Sequence, residues 1–170
     1  MINKKICMLG AFSVGKTALV QQYVHSIFSD KYLSSVGVKI SKKALAIDGT
    51  DMTLLIWDME GKDMYADVNI AYLRGAMGYF LIADGTRSET LQIACELRDL
   101  AISMVGPQVP HCLLLNKADL EPEWEISNDD LEALRAQGIP FLKTSAKTGL
   151  GVEETFIELA RAMLLQGGKA

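Results

Sequence analysis

Eight consecutive residues carry the strongest chemical signal in the chain. Gly10-Ala11-Phe12-Ser13-Val14-Gly15-Lys16-Thr17 has the spacing G-x-x-x-x-G-K-[ST]. Phosphate oxygens need several donors at short range. A loop whose backbone N–H groups turn inward supplies them, and the N-terminus of a following helix adds a favourable dipole. Gly15 lets the backbone approach closely, Lys16 reaches the β- and γ-phosphates, and the Thr17 hydroxyl is a ligand for Mg²⁺.

A second group of residues could select the base. In Asn116-Lys117-Ala118-Asp119, a carboxylate at Asp119 can accept from both the ring N–H and the exocyclic amine of guanine. Adenine offers no such pair, and binding it would leave the charge desolvated and unpaired, a penalty that can discriminate by about 10⁴-fold. The Lys117 stem can lie over the purine plane. Taken alone, N-K-x-D reads equally well as a turn at the end of a strand. Ser145-Ala146-Lys147 also follows a strand, and its backbone N–H groups could reach the guanine carbonyl oxygen. A third group would sense the terminal phosphate. Asp58-Met59-Glu60-Gly61 has the form D-x-x-G, with Asp58 able to hold a Mg²⁺-bound water and the Gly61 N–H able to meet the γ-phosphate. A hydroxyl in Ser34-Ser35-Val36-Gly37 could ligate the same ion.

These residues need a scaffold that brings them together. Ile6–Leu9, Tyr79–Ala83 and Cys112–Leu115 are short apolar runs of the kind found in strands buried on both faces. The segment 38–47 carries Lys39, Lys42 and Lys43, as befits an edge strand. Asp48-Gly49 predicts a hairpin into an antiparallel strand over 53–57. A further strand is expected over 139–142. Helical spacing predicts helices over 16–27, near 70–74, and over 88–104, 128–136 and 152–165. Ser88 is the expected cap of the third, and Gly138 the stop of the fourth. Strands alternating with helices imply an α/β domain with a mostly parallel sheet and helices on both faces. In such sheets ligands bind beyond the carboxyl ends of the strands. Gly10, Asp58, Asp84, Asn116 and Ser145 all fall at or just after predicted strand ends.

Composition narrows the function classes. The chain has 170 residues, 49% apolar and 22% charged, which excludes a disordered chain and suits one compact domain. A net charge of −4 argues against a nucleic-acid binder. Cys7, Cys95 and Cys112 stand among apolar residues and predict buried, reduced thiols in a cytoplasmic protein. No apolar run reaches membrane length, and from the residues at either end neither a signal peptide nor lipidation is expected. His25 and His111 are far apart in sequence, and neither sits in a ligand-spaced cluster.

Taken together, 10–17, Ser35, 58–61, 116–119 and 145–147 stand in the order of the Ras superfamily, and the chain resembles a small GTPase over nearly its whole length. It is most similar to Rab-like members or their bacterial relatives. The resemblance implies a P-loop NTPase G domain over 1–170: a six-stranded, mostly parallel sheet with one antiparallel edge strand and five flanking helices. It implies a guanine-nucleotide switch that binds GTP and GDP with Mg²⁺. The implied nucleotide-binding set is Gly10, Phe12, Ser13, Val14, Gly15, Lys16, Thr17, Ala18, Phe28, Ser35, Gly61, Asn116, Lys117, Asp119, Ser145, Ala146 and Lys147, with Phe28 packed edgewise on the base. Thr17, Ser35 and Asp58 are the implied metal ligands, and Lys16, Gly61 and Lys62 the implied catalytic residues. Switch segments at 29–38 and 59–74 would meet effector and regulatory proteins, with Met59, Met64 and Tyr65 beside Tyr32 and Val36 as an apolar patch. The expected protein is a monomer in which any membrane contact is made through a partner.

The chain departs from the family pattern at four places. Lys62 stands where the family usually has a water-orienting glutamine, Phe12 where Ras-type members have a small residue, Ser35 where they have threonine, and Glu60 where they have alanine. A lysine cannot place a water by accepting its proton, and a ring at Phe12 should crowd an arginine entering from a partner. Slow hydrolysis is therefore expected unless Glu60 or Asp63 serves as a substitute water-positioner. Two other readings remain open. One is an ATP-using P-loop kinase or ATPase, which Asp119 opposes. The other is a nucleotide-binding interaction module with essentially no hydrolysis.

Overall fold

A computed structural model describes residues 2–29, 37–60 and 71–167. Six strands form one sheet: β1 (Ile2–Gly10), β2 (Gly37–Ile47), β3 (Thr50–Glu60), β4 (Gly78–Asp84), β5 (His111–Asn116) and β6 (Phe141–Lys143). Their order is β2-β3-β1-β4-β5-β6. Only the β2–β3 pair is antiparallel. Among the described residues the flanking helices are α1 (Lys16–His25), α2 (Ser88–Val105), a 3₁₀ helix at Ala118–Glu123, α3 (Asn128–Ala136) and α4 (Val152–Gly167).

The unbroken apolar runs arise because both faces of the sheet are covered. Successive side chains of a strand point to opposite faces. Ile6, Met8, Phe80, Ile82 and Leu114 therefore enter one core with α1 and α4, while Cys7, Leu9, Tyr79, Leu81 and Leu113 enter another with α2 and α3. Phe156 of α4 centres the first core, its ring 4.0 Å from Tyr23 and 4.9 Å from Phe80. The β2–β3 hairpin turns at Asp48 and Gly49, both left-handed, with Ile47 paired to Thr50. No disulfide forms: Cys7 is buried, and Cys95 and Cys112 are half-buried.

Several expected boundaries move. The first helix ends at His25, because Ser26 turns left-handed (φ 55°) and donates its N–H to Gln22, which leaves Ile27 outside the helix and exposed. Ser88 opens α2 without capping it. Its hydroxyl donates to Glu125, while the Thr90 hydroxyl and N–H close the first turn on the Arg87 carbonyl. The last strand starts at Phe141 rather than Ile139. Pro140 has no N–H to give, and the Ile139 N–H is bound to Leu134 at the end of α3. Of the helix expected near 70–74, Ile70 lies outside the described residues, Ala71 is helical, and residues 72–75 form turns. Met59, expected in an exposed patch, is buried in the second core: at the end of β3 its side chain falls on the face that α2 and α3 cover.

Candidate nucleotide-binding site

The loop after β1 is shaped by two left-handed residues, Ser13 (φ 62°) and Gly15 (φ 105°), which turn successive amides toward a common centre. A Cβ on Gly15 would lie 2.3 Å from the Asn116 amide nitrogen, so only glycine fits. Lys16 opens α1 at 1% exposure, and its ammonium donates to the Gly10 and Ala11 carbonyls at 2.8 and 2.9 Å. Those bonds bend the lysine back over the loop and hold its charge at the mouth of the cradle. Phe12 is 41% exposed on the rim. Val14 is buried in the core, Ala18 follows in α1, and Phe28 stands exposed beyond the helix.

Asn116 at the end of β5 ties three segments together. Its amide donates to the Val14 carbonyl (3.0 Å), and its carbonyl accepts from the Thr144 hydroxyl (3.2 Å) and the Ala146 N–H (3.3 Å). Ser145 donates to the Asp119 carboxylate at 2.7 Å, which orients that carboxylate. The Lys117 ammonium pairs with Asp84 at 2.8 Å, which lays its stem along the site wall. Phe28, Asn116, Lys117, Asp119, Ala146 and Lys147 line a groove of about 240 Å³ beside Gly15 and Ala18. Among the described residues, those predicted to bind base and phosphate thus meet at one edge of the sheet.

Asp84 is buried at the carboxyl end of β4 and takes hydrogen bonds from Lys117, Thr86 and Arg87. Burial alone would push its pKa up; these donors outweigh it and hold the carboxyl below the usual range. Arg87 also donates to the Phe12 carbonyl at 2.8 Å, linking this carboxylate to the phosphate loop.

The Thr17 hydroxyl donates to Asp58 at 2.5 Å, and both side chains are buried. Two hard oxygens side by side at the end of the phosphate loop fit a Mg²⁺ that takes only one or two protein ligands and the rest from phosphates and water. Among the described residues no group of three or more His, Cys, Asp or Glu could hold a metal on its own. Ser35, Gly61 and Lys62 lie outside the described residues, as do Tyr32, Val36, Asp63, Met64 and Tyr65. Thr144, Arg87 and Trp124 also reach these residues, and no nucleotide motif contains them. Thr144 was marked only by preceding Ser145; the other two carry no motif and join the site through tertiary contact.

A phosphate loop, a base groove and a hydroxyl–carboxylate pair on the carboxyl edge of a parallel sheet define a P-loop nucleotide-binding protein. The Ras family model matches residues 5–165, and the chain belongs to that family. It is 32% identical to Ras-related protein Rab-13 of Bos taurus over 165 residues, covering 96% of this chain and 81% of the relative. It is 35% identical to Ras-related protein Rab-37 of Homo sapiens, with 98% and 76% covered, and 34% identical to Ras-related protein Rab-4 of Dictyostelium discoideum, with 94% and 78% covered. This is a small GTPase of the guanine-nucleotide switch class. No described helix is long and apolar enough to cross a membrane.

Proposed function

We propose that residues 1–170 act as a single G domain that holds GTP or GDP with Mg²⁺, hydrolyses GTP slowly on its own, and signals through 29–38 and 59–74. The observation that carries this reading is the groove beside the phosphate loop with the Asp119 carboxylate at its wall. Lys16 would hold charge against the β- and γ-phosphates, and the left-handed turns at Ser13 and Gly15 would present amides to them. Asp119 would accept the two guanine donors, Phe28 would flank the ring, and Ala146 and Lys147 would close the groove. Thr17 and Asp58 would hold the ion, with Ser35 as a third oxygen. When bound, Mg²⁺ would neutralise phosphate charge as the terminal group departs. Nucleotide competition tests the assignment: GDP, and not ADP, should displace a fluorescent guanine nucleotide. Displacement by both at equal concentration would overturn it.

Two features support slow hydrolysis, the first bearing on the chain alone and the second on stimulation by a partner. Lys62 replaces the residue that would orient the attacking water, and the Phe12 ring stands out on the rim where a partner's arginine would enter. In single-turnover assays Lys62→Gln should speed the hydrolysis of bound GTP at least about tenfold. A brisk wild-type rate that Lys62→Gln leaves unchanged would sink the idea.

A partner surface borders the two switch segments. Ile40 on β2 is exposed and lies opposite Trp57 on β3, whose ring is 5.9 Å from that of Tyr72. An apolar strip at this place would be read together with whatever form the adjoining segments take, so a partner should bind the GTP-analogue and GDP forms with unequal affinity.

A further inference from the structure

Trp124 lies outside every nucleotide motif, yet its indole sits on the turn that carries Asp119. Lys117 is left-handed (φ 71°), and its carbonyl accepts the Leu120 N–H at 2.9 Å, closing the turn that presents Asp119. The same carbonyl accepts the Trp124 indole N–H, also at 2.9 Å. The indole lies flat against Gly85, the residue after Asp84: a Cβ there would fall 2.0 Å from the ring. The Gly85 N–H in turn donates to the Asn116 carbonyl, and its own carbonyl accepts from the Glu125 N–H. On the outer side the Lys143 ammonium lies 5.4 Å from the ring centroid, two residues before Ser145. One side chain therefore joins the residue after β4 to the turn after β5, whose Lys117 and Asp119 line the base groove.

We propose that Trp124 is a positioning residue for guanine recognition: its indole locks the Lys117 turn against Gly85, holds Asp119 in register with the base, and so sets how long the nucleotide stays bound. The proposal rests on the guanine-nucleotide reading above. Trp124→Phe keeps an aromatic but smaller ring and removes the N–H, so the Lys117 carbonyl loses one of its two donors. Gly85→Ala pushes on the indole directly, since the three atoms nearest an added Cβ all belong to the Trp124 ring and Gly85 is not in the left-handed region.

The test uses the full chain loaded with fluorescently labelled GDP and chased with excess GDP. A parallel competition compares GDP with inosine diphosphate, which lacks the exocyclic amine that Asp119 would receive. Trp124→Phe should release nucleotide about fivefold faster, the rate equivalent of one hydrogen bond, and its preference for GDP over inosine diphosphate should shrink. Gly85→Ala should move both readouts the same way. The double variant should be no worse than the more severe single, because both changes act on one contact. Release within twofold of wild type with unchanged base preference would overturn the proposal. So would a lower melting temperature with unchanged base preference, which is the mark of a merely structural contact. If Trp124→Phe does not fold, the same readouts on Gly85→Ala decide. Wild-type protein that retains no GDP at all would instead overturn the functional reading itself.

Discussion

Tyr79 carries a hydroxyl that is fully buried and meets no hydrogen-bond partner among the described residues. Burial pushes its pKa up to about 12, against a smaller pull from Arg98, so the group stays neutral and simply lacks a partner. Its ring, by contrast, is well placed, stacked 4.9 Å from His111. Tyr79→Phe keeps the stack and removes the buried oxygen, so it should stabilise the protein by about 1 kcal/mol. Thermal unfolding should show this as a rise of about 2–4 °C in Tm; a fall would mean that the hydroxyl is bonded in solution. The loop over 10–17 is legible at this scale, because it is a local object: eight residues specify the left-handed turn at Gly15 and the helix start at Lys16. Arg87 and Trp124 were not legible, because each matters through a carbonyl far along the chain or across a turn, at Phe12 and Lys117.

At the scale of elements, the start of α3 shows which boundaries sequence chemistry can place. Ser127 accepts the Asp130 N–H, and the Asp130 carboxylate accepts the Ser127 N–H, a reciprocal cap ahead of Leu131 and Leu134. The helix begins at Asn128 and ends at Ala136, as its apolar spacing predicts. Ser127→Ala should cost about 1 kcal/mol, readable as a lower denaturant midpoint with an unchanged slope. A change of less than about 0.3 kcal/mol would mean that the cap is replaced by solvent. The expected cap and boundaries that failed did so where a competing bond intervened. Ser88 was drawn to Glu125, Ile139 to Leu134, and the end of α1 to the left-handed Ser26. Glu125 lies outside the window in which helical spacing is read, Leu134 belongs to the preceding helix, and the left-handed turn at Ser26 is a backbone choice that apolar spacing does not report.

For the molecule as a whole, two groups at opposite ends of the sheet couple folding to pH. At the amino end of β5, burial holds the His111 pKa below its ordinary 6.5, and Arg98 lowers it further against the Val109 carbonyl. Arg98 donates to His111 Nε2, which must be unprotonated, while Nδ1 faces the Val109 carbonyl. Below about pH 6.5 the unfolded chain takes up a proton that the folded chain refuses, so stability falls as pH drops from there. Asp84 at the other end has a folded pKa below 3.8. Its contribution is complete above that value and is lost as the pH falls through the folded pKa. Tm measured against pH should therefore decline in two stages. His111→Phe should flatten the first and leave the second; an unchanged first stage would refute the assignment. The sequence by itself determined the strand-and-helix alternation, the two-sided core and the order of the nucleotide motifs, because apolar period and loop chemistry are properties of neighbouring residues. Only the tertiary structure decided that β1 lies between β3 and β4, that Met59 turns inward, and that Asp84 and Trp124 bond to Lys117 and Arg87 to the Phe12 carbonyl. Those outcomes depend on which strands pair and which distant carbonyls come within hydrogen-bond reach, and no local pattern encodes such distances.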